Sequence, residues 1–231
     1  MKSKQIQLKL KALHNPEFAA RSKRFFKTDK GGYAESDKFL GVPVPVLRKK
    51  AREFETTSLP ELRCLLKSPW HEVRLCALLV LVRQFEKGSE SKKTAVYKFY
   101  LANTPGINNW DLVDSSAYQI VGSYLLNRNK KILFKLALSD NLWERRIAII
   151  STFRFIKEGH FEETLQISKI LINDPEDLIH KAVGWMLRET GNRNIAVEKK
   201  FLRENYQRMP RTMLRYAIEK FPDADREKFL S

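Results

Sequence analysis

Asp114 stands four residues after Trp110, one helical turn, so a carboxylate and an indole share a face while Asp111 points elsewhere. Their surroundings are strongly basic, with 43 Lys and Arg against 27 Asp and Glu and a net charge of +16. A carboxylate facing a surface that attracts anions weakens binding unless it acts on positive charge. Two readings of Asp114 stand: a reacting group, or a cap or structural partner of Arg146. A second indole, Trp185, lies four residues after Lys181, with Gly184 between them permitting close backbone approach. Trp at helical spacing ordinarily packs a core, and Trp70 and Trp143 are read that way.

Other site chemistries lack their residues. His71-Glu72 is followed by Val73-Arg74-Leu75, without the second His of a metalloprotease helix. Two Cys and four scattered His form no zinc set or zinc-deaminase pattern, so no metal is expected. No Gly-rich loop precedes a Lys-Ser or Lys-Thr pair, and Gly31-Gly32 lacks dinucleotide spacing, so no cofactor is expected either.

The elements that must position these residues are helices. Of 231 residues, 43% are apolar and 11% aromatic, enough for a sizeable core, and only nine Gly and nine Pro punctuate the chain. Apolar residues recur at three and four, and strand-like alternation is almost absent. Helices are expected at 5–14, 17–27, 45–54, 59–67, 70–86, 92–102, 108–126, 129–138, 141–157, 161–172, 175–190, 194–205, 210–221 and 223–230. The longest apolar run, Leu75 to Val82, is too short for a bilayer, and the basic N-terminus lacks an apolar export core. Cys64 and Cys76 sit in apolar helical contexts and are expected as reduced core thiols of a cytoplasmic protein.

Three segments share a polar opening, one or two basic residues and a small or apolar run: Ser68 to Ala77, Ser139 to Ala148 and Asn173 to Val183. Trp110 to Ala117 forms a fourth. Ala77, Ala117, Ala148 and Val183 are then equivalent at spacings of 40, 31 and 35 residues, the length of a helical hairpin. The expectation is all-α: a curved superhelical solenoid of HEAT-like hairpin repeats forming a single domain over 1–231. Arg74, Asp114, Arg145, Arg146, His180 and Lys181 would project from consecutive inner helices onto one concave surface. Such a row suits a polyanion, nucleic acid first. Repeat phase favours Arg146, Lys181 and Arg188 as contacts, whereas Arg48 and the other basic runs are phosphate contacts or plain surface.

Phe39-Leu40-Gly41-Val42-Pro43, Trp110-Asp111-Leu112-Val113-Asp114, Asn141-Leu142-Trp143-Glu144-Arg145-Arg146 and Ala182-Val183-Gly184-Trp185-Met186-Leu187-Arg188-Glu189, in this order and spacing, resemble the bacterial DNA alkylation repair enzymes of the AlkD type. The resemblance runs through Met213-Leu214-Arg215-Tyr216 near the end. It implies HEAT-like repeats wrapping duplex DNA, and a monofunctional glycosylase acting on cationic 3- and 7-alkylpurines without flipping the base. It also implies a monomer in the bacterial cytoplasm, associated with the nucleoid. Carried over by position, Asp114 is the catalytic carboxylate, Trp110 and Trp185 the active-site indoles and Arg146 the essential arginine. Lys181, Arg188, Arg145, Arg74, Arg48 and Arg215 are assigned to DNA. One departure is Asn109, where the family often has a second Trp.

Loss of a cationic base leaves positive charge on the deoxyribose, which one ionised carboxylate can stabilise while it orients water. Arg146 would grip a phosphate and help keep Asp114 ionised. The alternatives are a non-catalytic HEAT-like binder of damaged or branched DNA and a scaffold for an acidic protein. If the basic row meets phosphates, duplex affinity should fall about tenfold or more between roughly 50 and 200 mM salt. A salt titration checks this, and a flat curve would favour the protein scaffold.

Overall fold

The computed structural model describes residues 1–35 and 37–230, and its regular structure is helical apart from an isolated parallel bridge between Lys38 and Trp70. Helix starts follow the local signals. Asn15 accepts a hydrogen bond from the Phe18 amide with Pro16 in the first turn, and Ser89 and Asn194 cap two later helices in the same way. The chain packs as two compact units, Met1–Ile120 and Val121–Ser231, where the sequence suggests one continuous domain.

The first unit holds α1 (Ser3–Lys11), α2 (Pro16–Phe25), α3 (Val44–Glu53), α4 (Leu59–Leu66), α5 (His71–Lys87), α6 (Glu90–Leu101) and α7 (Trp110–Asp114). Every residue of α5 from His71 to Val82 is buried, and α3, α4 and α6 pack around it. From Leu75 to Val82 this helix is apolar on all sides and has to be central. The irregular stretch between α2 and α3 is fastened to α5 by Glu72. Its carboxylate accepts from the amides of Leu40 (2.8 Å), Gly41 (2.7 Å) and Val42 (3.3 Å). Gly41 is required there: its φ is +73°, and a Cβ would lie 2.2 Å from the Asn15 carbonyl oxygen.

The second unit contains α8 (Ser123–Leu125), α9 (Lys131–Ala137), α10 (Leu142–Ser151), α11 (Phe153–Lys157), α12 (Glu162–Ile170), α13 (Asp177–Gly191), α14 (Ile195–Asn205), α15 (Arg211–Ala217) and α16 (Asp223–Leu230). α10 packs on α9 and α13, and α13 on α14 and α15, the neighbour-to-neighbour order of a repeat-type all-α fold. Gly184 allows α13 and α15 to approach closely. A Cβ there would meet the Met213 carbonyl oxygen at 2.4 Å and Tyr216 Cβ at 2.5 Å, so this glycine serves helix packing.

Three expected elements differ. The helix at 108–126 is broken into α7, a π-helical turn at Tyr118–Gly122 and α8. Ser116 helps end α7 by donating its hydroxyl to the Leu112 carbonyl at 2.6 Å. The helix at 141–157 divides at Thr152, where Ser151 and Thr152 hydroxyls donate to Ile147 and Ile149 carbonyls. The helix at 210–221 closes in a 3₁₀ turn. Cys64 is exposed, so only Cys76 is a core thiol, its pKa pushed up to about 12 by burial. No helix among the described residues is long and apolar enough to cross a membrane.

Glu198 of α14 is buried, and its Oε1 has no hydrogen-bond partner. Burial raises its pKa from 4.5 to about 8, against the opposing charge of Arg188. The unfolded chain therefore loses this proton at lower pH than the folded chain, and stability falls as pH rises from 4.5 to about 8. Glu198→Gln should remove that fall, raising stability above about pH 8 by on the order of a few kcal/mol and changing little near pH 4. Urea denaturation across this range measures it.

Candidate functional site

In three of the four repeats, the residue three before the small residue makes one structural bond. Arg74 Nη1 donates to the Ser68 carbonyl at 2.8 Å, Arg145 Nη1 to the Ser139 carbonyl at 3.0 Å, and His180 Nε2 to the Asp174 carbonyl at 2.5 Å. Each donor reaches back six residues and ties down the turn before its helix. The fourth repeat has Asp114 at this position, and a carboxylate cannot donate that bond.

Asp114 is half-buried at the end of α7, and its negative charge adds to the burial that pushes the Tyr100 phenol upward in pKa. Trp110, at the start of α7, is also half-buried. Its indole N–H donates to the Tyr33 hydroxyl at 3.2 Å, and its ring stacks on Phe26 at 5.4 Å. Asn109 is fully buried. Its Oδ1 accepts from the Trp110 amide at 2.8 Å and its Nδ2 donates to Asp37 at 3.1 Å. The short amide at this position both caps α7 and tethers it to Asp37.

Asp37 is the centre of a buried charge cluster. Arg74 Nη2 donates to it at 2.6 Å and His71 Nδ1 at 3.1 Å, while His71 Nε2 donates to Asp111 at 2.8 Å. Two carboxylates on one imidazole require both ring nitrogens to carry protons. Burial opposes that charge, but the Asp111 charge and the hydrogen bonds to Asp111 and Asp37 raise His71 to about 9. Burial likewise works to raise Asp37, yet the His71 hydrogen bond and the Arg74 charge hold its carboxyl below the usual range. Beside this cluster lies a cavity of about 510 Å³ walled by Phe18, Phe25, Phe26 and Phe39, with His71 and Asp111 in its lining.

The basic residues divide into two groups. Arg74 is 4% exposed and fully engaged by Asp37 and Ser68, which corrects its assignment to a DNA-facing surface. Arg145 grips both oxygens of Asp174, at 2.6 and 3.3 Å, and two carbonyls besides, so it too is structural. Arg146 is 5% exposed and donates to the Leu178 carbonyl at 2.5 Å, inside the protein rather than on its surface.

Lys181 forms a surface pair with Asp177 at 2.7 Å, and Arg188 pairs with Glu219. Arg48 and Arg215 are exposed. Arg48 lines a cavity of about 220 Å³ with Arg52, Arg83, Ser115, Tyr118 and Gln119. Trp185 is half-buried, its N–H on Glu189 at 3.3 Å.

Residues 6–221 match the sequence profile of the family described as DNA alkylation repair enzyme. The chain belongs to that family. A predicted DNA alkylation repair enzyme from Enterococcus faecalis shares the fold, with a TM-score of 0.70 over 91% of this chain and 97% of the other at 18% identity. No curated protein matches. A DNA alkylation repair enzyme acts on DNA, and Arg48, Arg52 and Arg215 are among the exposed cations of this chain. Reasoning from sequence missed Asp37, Tyr33 and Phe26, which carry no local motif, and weighed His71 only as a metal ligand.

The two groups of cations should respond oppositely to substitution. Arg74→Met removes one partner of a buried ion pair and should cost about 3–5 kcal/mol. Arg48→Ala should cost about 0.5 kcal/mol or less while weakening duplex binding. Chemical denaturation and duplex titration of both variants provide the comparison.

Proposed function

We propose that this DNA alkylation repair enzyme is a monofunctional glycosylase, working as a monomer on duplex DNA in the bacterial cytoplasm, at the nucleoid. It would hydrolyse the N-glycosidic bond of cationic 3- and 7-alkylpurines. The observation that carries the reading is Asp114: an acid stands where the other repeats use a structural donor, one turn from a half-buried indole. An acid has the wrong charge for binding phosphate and the right one for a positive centre on the sugar.

In the proposed reaction the C1′–N bond breaks and its electron pair leaves with the base, which becomes neutral. Water adds to C1′, and its proton passes to Asp114 and on to solvent. The ionised carboxylate stabilises the positive sugar before water arrives. No general acid is needed, because the alkyl group has already charged the leaving base. Trp110 offers an electron-rich face to the sugar, worth about 0.5–2 kcal/mol, and Trp185 does so for the nucleotide. Arg48, Arg52, Lys181, Arg188 and Arg215 hold phosphates. The existing pairs of Lys181 and Arg188 are no obstacle, since surface ion pairs contribute only about 0–1 kcal/mol and exchange readily.

Asp114→Asn keeps the shape and removes the charge. It should lower single-turnover release of 7-methylguanine by about 10² or more, with EDTA present throughout. Duplex affinity should be equal or slightly tighter and the melting temperature unchanged. Uracil, a neutral leaving group, should be released poorly by the parent enzyme. A destabilised variant with near-normal turnover per folded molecule would return Asp114 to a structural role.

A further inference from the structure

We propose that His71 is a positioning residue: clamped between Asp37 and Asp111, it holds the first turn of α7 and so sets where Trp110 and Asp114 stand. The inference rests on Asp114 as the reacting carboxylate, but its geometry is independent of that assignment.

α7 has only five residues, Trp110–Asp114. A helix this short is marginal by itself and must be held from outside. Both residues flanking Trp110 end in the same buried cluster. Asp111 accepts from His71 Nε2 at 2.8 Å, and Asn109 donates to Asp37, which accepts from His71 Nδ1 at 3.1 Å. The Asn109 carbonyl of the side chain takes the Trp110 amide at 2.8 Å. The backbone on either side of Trp110 is thus referred to one imidazole.

A second path runs through rings. Phe39 stacks on His71 at 4.8 Å, Phe26 packs on His71 at 4.8 Å and on Phe39 at 5.1 Å, and Phe26 in turn stacks on Trp110 at 5.4 Å. Indole and imidazole share a neighbour, so a displaced imidazole disturbs both the backbone and the face of Trp110.

Charge explains why this residue is a histidine. The groups facing it are Asp37 from the irregular stretch, Asp111 from α7 and Arg74 from its own helix, together with two Phe rings, while the Asn109 amide reaches Asp37. Two carboxylates are balanced by one guanidinium and one imidazolium. A neutral imidazole has one N–H, leaves one carboxylate without its donor and gives the cluster an excess negative charge. The folded pKa of His71, about 9 against 6.5 when unperturbed, keeps the clamp complete at neutral pH. Its contribution is fully present below 6.5 and is lost as pH rises through about 9.

Three measurements on the full chain test this. Nitrogen-resolved NMR should find both ring nitrogens of His71 protonated at neutral pH, titrating near 9. Single-turnover release of 7-methylguanine should fall through the same range in the parent. In His71→Gln it should be about ten- to a hundredfold slower near neutral pH and nearly independent of pH between about 7 and 10, with duplex affinity unchanged. Amide exchange at residues 110–114 should quicken in His71→Gln. If that variant does not fold, Asp111→Asn, which keeps an acceptor but loses the charge, should show the same exchange change.

A neutral His71 in the parent, or unchanged exchange at 110–114 in the variant that folds, overturns the proposal. If the parent releases no alkylpurine, the glycosylase reading fails, while the NMR and exchange results still decide the role of His71.

Discussion

The carboxylate of Asp37 is buried and accepts hydrogen bonds from Arg74, His71 and Asn109. A lone buried carboxylate would be expelled or neutralised, so its donors must all be present together. Two of them belong to α5 and the third stands immediately before α7. Folding around this one anion therefore fixes the central helix of the first unit, the irregular stretch ahead of α3 and the entry to α7 in a single register. Glu72 repeats the logic a few residues further along the irregular stretch, where three main-chain amides serve as its donors. The candidate site is held by two internal anions in a chain of net charge +16.

Much of the scaffold is legible in the sequence because helices announce themselves through local periodicity and caps. The helices expected at 45–54 and 59–67 lie within a residue of α3 and α4. What periodicity cannot show is interruption. Nothing in the apolar pattern of 108–126 signals the π-helical turn after α7, which depends on Ser116 and on packing. That Trp110 and Asp114, both on α7, share one helix was legible from their spacing. The role of Asp37 was not, since its partners stand 34, 37 and 72 residues away. Charge sign alone also misled for Arg74 and Arg145. An arginine that staples a turn and one that meets a phosphate have the same sequence signature, and only burial and an acid across the fold separate them.

The backward-reaching bond of the repeats demands very little: any N–H of adequate length at the right position. Arg74, Arg145 and His180 satisfy it with two different side-chain chemistries. That leniency bears on how a stacked protein can acquire a reaction. One such bond contributes only about 1 kcal/mol, so one repeat can give it up while its neighbours keep the stack intact. A carboxylate placed at the vacated position needs no new loop or insertion. Chemistry can then enter a structural array at one unit, and the relinquished staple remains readable afterwards as a donor position holding an acceptor.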